Sequence, residues 1–540
     1  MSRQSELERL QEKVFDVLVI GGGINGAVAS LTLSSNGYET AMIEQRDFAS
    51  FTSQESSSLA WGGIKYLESF EFSLVWDLCR SRNELLRAFP SQVREIRFFT
   101  SLEKGFRKSR FLIYLGTWLY WVMGRFFTRR PRLLTIGDIE REEPQIDVSR
   151  CQGGVEYSDS YFIDTDARFV FNLVRSAIDE GCTAVNYLKA TEFSRGKDGV
   201  WLVTVRDMRS DRSFQVKAKS IVNATGPYAD QLNGQLGIPT EHKHVFSKGI
   251  HLIVPKITEK ERILTFFADD GRMFFVIPMM DRSCIGTTDT RVHELPAIVT
   301  DDDRDFILSN INKRLRLSKK LSRADVIAER CGVRPLVVAR EEGDNDDDWM
   351  NLSRKHAIEV DEAHQVISIF GGKLTDCLNV GREVLDLVEQ FALTKKPTGR
   401  QWKRESLTVK AQFYQRARSS GVNEDAMKRI WRRFLDRAFE VVDLYDAEPA
   451  MKECILEGST ITKAELVYMA KHEMIVCLED FLRRRTGLAM KFSQKQLQTA
   501  PGMIELCRVL FAEEAHAAYQ EYFGAETELS NSTAAQGSRS

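Results

Sequence analysis

The sequence has little of what would mark a secreted, metal-binding or membrane-spanning chain. Its nine cysteines in 540 residues are odd in number and scattered, and none is spaced Cys-x-x-Cys. That argues against both a disulfide framework and a zinc site. No apolar run reaches the roughly 18 residues of a spanning helix; the longest candidate, 111–123, is interrupted by Gly116 and Thr117. An excess of one charge is also missing, since 75 Lys+Arg against 77 Asp+Glu leave a net charge of −2. Nothing global therefore points to nucleic acid. Residues 1–13 are polar and charged, without the apolar core of a signal peptide, so the chain reads as cytoplasmic. A composition 43% hydrophobic and 28% charged excludes disorder and collagen-like repeats. At roughly 150 residues per domain the length allows three or four domains, with core enough to need no staples.

Locally the charge is uneven. Between positions 105 and 132 there is no acidic residue, while Arg107, Lys108, Arg110, Arg125, Arg129, Arg130 and Arg132 are basic. Interleaved with them are Phe106, Phe111, Tyr114, Trp118, Tyr120, Trp121, Phe126 and Phe127. Rings at headgroup depth and cations on anionic lipid are what an interfacial helix needs. Segment 105–132 is accordingly expected to hold the protein peripherally on the inner face of the membrane. A buried helix with solvated basic ends is the competing reading.

Strand-like and helical segments alternate as far as Lys395-Lys396-Pro397-Thr398-Gly399, where a boundary is expected. Beyond it, 413–478 carries helical spacing almost throughout. The acidic run 341–348 reads as an exposed loop, and the Ser- and Thr-rich tail 527–540 as disordered.

The strongest local signal lies near the start. Phe15-Asp16-Val17-Leu18-Val19-Ile20 is a short apolar run of the buried parallel type, followed at once by Gly21-Gly22-Gly23-Ile24-Asn25-Gly26. This satisfies Gly-x-Gly-x-x-Gly and leads into a helix closed by Gly37, then a second strand ending at Glu44. Gly21 permits the tight turn, Gly23 lets the backbone approach a pyrophosphate, and Gly26 lets the helix sit close to the strand. The helix N-terminus offers free N–H groups to the phosphates. Glu44 is placed to accept hydrogen bonds from an adenosine ribose and would repel a 2′-phosphate. The motif alone does not separate NAD from FAD. It occurs once, however, and a hairpin over 201–217 returns through Ile221-Val222-Asn223-Ala224 to Thr225-Gly226-Pro227. That return resembles the second dinucleotide contact of FAD proteins of the glutathione reductase type.

With these in view, the chain resembles the FAD-dependent glycerol-3-phosphate dehydrogenases of the aerobic, membrane-associated type, from Asp16 to about Leu387. The likeness is carried by Glu156-Tyr157-Ser158-Asp159, Asp164 with Arg168, Lys248-Gly249 with His251 and Ile277-Pro278. It continues through Ile285-Gly286-Thr287-Thr288-Asp289, Gly332-Val333-Arg334-Pro335-Leu336 and Phe370-Gly371-Gly372-Lys373-Leu374-Thr375. The helical end also looks alike, at Ala464-Glu465-Leu466, His472-Glu473 and Arg483-Arg484-Arg485-Thr486.

The resemblance implies an α/β fold: a Rossmann-like FAD-binding domain, an antiparallel-sheet substrate domain of the glutathione reductase and amino-acid oxidase type, and an all-α C-terminal domain. The FAD-binding parts are expected near 14–80, 150–235 and 330–395, the substrate parts near 81–149 and 236–329, and the helical domain over 396–526. The implied reaction is oxidation of sn-glycerol 3-phosphate to dihydroxyacetone phosphate, with electrons passed to quinone. The substrate is thus a phosphorylated polyol; no metal and no nucleic acid are expected, and a homodimer is possible.

By the same resemblance His251 is the general base that takes the hydroxyl proton, and Arg334 and Lys373 complete the catalytic set. Lys65, Tyr66, Arg272 and Arg354 are expected to bind substrate, a guanidinium fork suiting phosphate. Ser57, Gly63, Gly372, Lys373, Leu374 and Thr375 join Gly21, Gly23, Asn25, Gly26, Glu44, Thr225 and Gly226 as cofactor contacts. A helix expected over 374–391 would bring its N-terminus and Lys373 to the anionic reduced ring.

One segment departs from the family, which usually shows Ser-Ser-Lys-Leu-Ile-His-Gly-Gly-Leu-Arg-Tyr-Leu-Glu. Here the lysine is Ser58, the histidine is Trp61 and the arginine is Lys65, while Tyr66 is kept. These changes weaken the usual phosphate grip. They keep open an FAD-dependent oxidase or dehydrogenase of an amino acid or 2-hydroxy acid, in which Arg334 would hold a carboxylate.

Overall fold

The computed structural model describes residues 3–340, 355–396 and 404–524. In chain order its first elements are α1 (Arg3–Glu12), β1 (Val14–Ile20), α2 (Ile24–Ser35), β2 (Thr40–Ile43), β3 (Leu59–Ala60), α3 (Phe72–Ala88), β4 (Val93–Glu103) and α4 (Arg110–Met123). There follow β5 (Arg132–Leu134), α5 (Ile136–Glu142), β6 (Cys151–Phe162), α6 (Asp166–Asp179), β7 (Thr183–Val185), β8 (Leu188–Arg195), β9 (Trp201–Asp207), β10 (Ser213–Asn223) and α7 (Ala229–Leu236). Next come β11 (His242–Pro255), β12 (Arg262–Phe267), β13 (Met273–Met279), β14 (Arg282–Gly286), β15 (Thr290–Val292), α8 (Asp301–Arg314), β16 (Ala328–Ala339), β17 (Ala357–Asp361), β18 (Val366–Phe370) and α9 (Cys377–Gln390).

Two compact units result, one formed by residues 11–404 and the other by residues 1–10 together with 405–540. The first residues thus group with the helical end of the chain rather than with the nucleotide domain that follows them.

The first sheet runs β17-β18-β10-β1-β2-β7, with the β8–β9 hairpin attached to β10. Every residue of β1 after Val14 is buried, as a central parallel strand covered on both faces requires. β1 pairs in parallel with β10 and β2. The register sets Ile20 beside Asn223, so both strands end together and release the Gly21 and Thr225-Gly226 turns at one edge. In open parallel sheets ligands sit outside the carboxyl ends of the strands.

The second sheet runs β15-β11-β14-β13-β12-β4-β6-β3, with β16 on β11 and β5 on β6. It is antiparallel except that β12 and β4 run parallel, so the expected antiparallel layer is mixed at one point. β6 and most of β16, which fall in stretches expected for the nucleotide domain, pair in this layer. The long β11–β16 ladder sets His251 opposite Arg330 and Ser247 opposite Arg334.

The helical unit includes α10 (Leu407–Ser419), α11 (Glu424–Phe434), α12 (Ala438–Ala447), α13 (Lys463–His472), α14 (Leu488–Lys491), α15 (Gln494–Thr499) and α16 (Met503–Phe511). Its core is apolar around Phe413, Trp431 and Phe481. The fully buried Glu465 is matched by Arg429 at 2.9 Å and Arg433 at 3.7 Å.

Glycine is demanded where α2 crosses the first turn. A Cβ on Gly26 would stand 1.8 Å from the Gly21 carbonyl oxygen, whereas Gly116 in α4 has nothing within 4 Å. Gly26→Ala is therefore expected to destabilise the protein by about 1–3 kcal/mol through overpacking. Gly116→Ala, by contrast, should be neutral or stabilising by up to about 1 kcal/mol. Calorimetric melting of the full-length protein checks both, and equal midpoints for the two variants would refute the close approach.

Candidate active site

A cleft of about 440 Å³ opens at the carboxyl edge of the first sheet. Gly21, Gly23, Asn25, Glu44, Thr225, Gly226 and Gly372 line it, all of them expected cofactor contacts. Gly26 lies beneath, against Gly21. Glu44 is fixed before any ligand arrives: its carboxylate accepts Gly22 N–H at 2.7 Å and Arg46 N–H at 2.8 Å. Burial pushes its pKa up, opposed by these two bonds.

Sequence reasoning missed Ser53, whose hydroxyl accepts the Ile24 N–H at 3.1 Å at the start of α2. It also missed Arg46, Lys189 and Gln231 on the cleft wall. Ser53 carries no local signal, because its role comes from a loop folding back over the helix end.

The Gly371-Gly372 turn closes the cleft. Both glycines are left-handed, with φ +65 and +103. Asn25 donates to the Gly371 carbonyl at 2.9 Å, while its own Oδ1 is buried without a partner among the described residues, about 3.0 Å from where a Gly372 Cβ would stand. The Gly371 N–H donates to His244 Nε2 at 3.1 Å, and His244 Nδ1 is 2.8 Å from Asp230. This fixes the Nδ1–H tautomer. The expected helix start is corrected here. Leu374–Asp376 is a 3-10 turn and α9 opens only at Cys377, because two left-handed residues and the extended Lys373 delay helical geometry. Lys373 thus precedes the helix end by a turn.

At the other end, β11 presents His251, which does not line the cleft and is 2% exposed. Its Nε2 lies 3.0 Å from Ser57 Oγ. Burial, then the nearby Arg330 and Arg334 charges, push its pKa down to about 3, so the imidazole is neutral at physiological pH. Arg334 donates to Asp289 at 3.0 Å and to Thr287 at 3.2 Å. Arg272 reaches the Asp289 carbonyl at 2.8 Å, so the two arginines converge on one residue. Lys373 Nζ donates to Tyr66 OH at 2.9 Å and stands 4.2 Å over its ring. Gly63 is left-handed with Tyr66 packed against it, and Lys65 is exposed on the same turn. Thr375 Oγ1 donates to the Trp61 carbonyl at 3.1 Å, and Leu374 is buried beside it in the chain. Arg354 lies outside the described residues.

A buried cation stands beside position 58, supplied by β16. Arg330, also 2% exposed, pairs with the buried Asp166 at 2.7 Å and reaches Ser58 Oγ at 3.3 Å. Nothing in the sequence around Arg330 announced it.

The residues of the cleft fit a flavin dinucleotide: a turn at Gly21 and Gly26 with no room for a side chain, the Glu44 carboxylate suited to a ribose, and an Asn25 oxygen without a partner among the described residues. A family model described as FAD dependent oxidoreductase matches residues 16–351, and one described as the C-terminal domain of alpha-glycerophosphate oxidase matches 398–515. The aerobic glycerol-3-phosphate dehydrogenase of Bacillus subtilis is 29% identical over 514 residues, covering 90% of this chain and 89% of its own. A glycerol-3-phosphate dehydrogenase from Bacillus halodurans, solved with FAD, superposes with a TM-score of 0.74 at 24% identity, covering 98% of this chain and 97% of its own. An L-alpha-glycerophosphate oxidase from Mycoplasma pneumoniae, also with FAD bound, gives 0.55 at 19% identity over 73% of this chain and 98% of its own. The chain belongs to the FAD-dependent oxidoreductases, and FAD is its cofactor.

Proposed function

We propose that the protein oxidises sn-glycerol 3-phosphate to dihydroxyacetone phosphate and passes the electrons to a membrane quinone. The observation that carries the reading is His251, neutral and buried between two arginines at the meeting of the Ser57 loop, β11 and β16. The name of the Bacillus subtilis relative points to the same substrate.

When bound, FAD supplies the hydride acceptor. His251 takes the hydroxyl proton as the hydride leaves the secondary carbon. In the free site this proton transfer is opposed, because burial and then Arg330 and Arg334 disfavour an imidazolium. A phosphate dianion held at Arg334 offsets one of those charges, so substrate raises the basicity of its own base. Arg272 and Arg334 are suited to a dianion, and Lys373 with Tyr66 brings a cation to the flavin end. Lys65 and Arg354 remain candidates for substrate binding.

The acceptor side of the reading rests on α4. Phe111, Leu112, Leu115, Leu119 and Val122 are all exposed on it, Leu115 by 66%, and Phe70, Phe72 and Trp76 add exposed apolar surface. Beside them a hollow of about 280 Å³ is lined by Trp76, Arg80, Glu84, Arg87 and Arg125 among others. Glu84 is engaged by Arg382, whereas Arg87 and Arg125 lie over the Phe127 and Trp76 rings. An apolar face edged by cations suits an anionic lipid surface. No described helix is long and apolar enough to cross a membrane.

The first test is anaerobic mixing of the yellow holoenzyme with glycerol 3-phosphate. Rapid bleaching is expected, and His251→Gln should slow it by about 10²–10⁴-fold with FAD content unchanged. Bleaching instead by a 2-hydroxy acid or an amino acid would replace the substrate. In a second test, Leu115→Glu/Leu119→Glu should cost the protein its flotation with phosphatidylglycerol vesicles while leaving bleaching intact. Undiminished flotation would refute α4 as the contact.

A further inference from the structure

Position 58 carries no charge in this chain, yet the buried carboxylate beside the loop is fully engaged. Asp166 Oδ1 accepts from Arg330 Nη2 at 2.7 Å and from Ala167 N–H at 3.0 Å, and Oδ2 accepts from Ser56 Oγ at 2.7 Å. The other arm of the same guanidinium donates to the Ser56 carbonyl at 2.6 Å and to Ser58 Oγ at 3.3 Å. Ser58 is held left-handed, at φ +55, a conformation that costs an alanine-like residue energy and persists only when its surroundings impose it. Residues 56 and 58 are thus both tied to Arg330. Ser57 lies between them with its hydroxyl 3.0 Å from His251 Nε2.

We propose that Arg330 is a positioning residue for the reaction: its guanidinium fork clamps the loop on both sides of Ser57, and Ser57 holds the His251 ring in the orientation that proton removal needs. The proposal rests on His251 being the base. A fork is required because three acceptors must be met at once from one buried cation, and a lysine ammonium supplies no planar pair of arms.

The same residue sets the charge around the imidazole. The titratable and charged groups facing this region are Arg330 and Arg334 on β16, Asp166 on α6, Glu55 from the preceding loop and Cys284 on β14. Removing Arg330 takes away a positive charge and leaves Asp166 unopposed. Both changes favour the imidazolium, so the pH below which His251 is protonated must rise.

Arg330→Lys keeps a charge on Asp166 and is chosen so that folding survives. Its anaerobic bleaching by glycerol 3-phosphate is expected to be at least tenfold slower than wild type, with FAD retained. Ser57→Ala should be slow as well, and Ser57→Ala/Arg330→Lys no slower than Ser57→Ala alone, because the arginine acts through the serine. In Arg330→Met, provided it is yellow, the acid limb of the bleaching rate should move to higher pH. Wild-type rates in Arg330→Lys, or a double variant whose defects multiply, would overturn the proposal while leaving His251 as the base. A wild type that glycerol 3-phosphate does not bleach, with His251→Gln no different, would remove the underlying reading and this one with it.

Discussion

Buried guanidinium groups must find carboxylates, and much of the reactive half of this protein follows from that demand. Desolvating a charge costs several kcal/mol, and leaving one partner alone costs about 3–5 kcal/mol. Arg82, 1% exposed, lies 3.7 Å from Asp159, and Arg330 lies 2.7 Å from Asp166. Both acids are fully buried, so neither pair can be broken cheaply. Each fastens one end of the same loop. Asp166 and Arg330 hold positions 56–58, while Asp159 accepts the Gly62 N–H at 3.1 and 3.2 Å. Ser57 and Trp61 are therefore carried on a segment pinned by ion pairs at two points, with Tyr66 on the 3-10 turn Ile64–Leu67 just beyond it. Between the pins the only strand is the two-residue β3, through which Leu59 and Ala60 pair with β6.

In this chain the cation that meets Asp166 comes from β16 and not from position 58, which is a serine bonded to the same guanidinium. The indole of Trp61 stands 6.3 Å from the Tyr66 ring, and its carbonyl is tied to Thr375. The Trp61 end of the loop is thereby joined to the Gly371-Gly372 turn, whose own amide is tied to His244. Electrostatics then works in one direction throughout. Burial, then the two arginine charges, hold the His251 imidazole neutral; on the reading proposed above, a phosphate at Arg334 would offset one of those charges as the base takes its proton.

What was legible in the sequence was what chain-local chemistry determines. The turn from Gly21 to Gly26, the acid at Glu44 and the small-residue turn at Thr225-Gly226 are each written in a few consecutive residues, and the structure gathers them at one cleft. His251, Arg334 and Lys373 came from resemblance, and the fold places His251 and Arg334 on adjacent strands of one ladder. Less visible was anything fixed by two distant segments. Ser53 reaches α2 from 29 residues away, and Arg330 reaches Ser56 across 274; neither distance leaves a period or a spacing to read. The start of α9 was misplaced for a local reason, since two left-handed glycines cost the chain a turn before helical dihedrals resume. β6 and most of β16 fall in stretches expected for the nucleotide domain and yet pair in the other sheet, because strand character alone does not say which sheet a strand will join.

The loop's second anchor has a consequence for electron exit. Tyr120 is a residue of α4 that faces inward, and its hydroxyl donates to Asp159 at 2.5 Å. A Cβ on Gly62 would come within 2.2 Å of that hydroxyl. The helix whose outer face carries Leu115 and Leu119 thus rests directly on the segment carrying Trp61 and Tyr66, with no intervening layer of side chains. On the reading proposed above, lipid against the outer face lies one helix thickness, about 10 Å, from the loop at the flavin end. An apolar acceptor would then have no aqueous stretch to cross. The carboxylate also resists loosening of this contact. Burial pushes the Asp159 pKa up to about 6, with Arg82 and Tyr120 opposing, and the same carboxylate accepts the Gly62 and Ser160 N–H groups as well as the Tyr120 hydroxyl. Helix α4 and the loop are thus held by one buried acid, and loosening either would strip partners from the other.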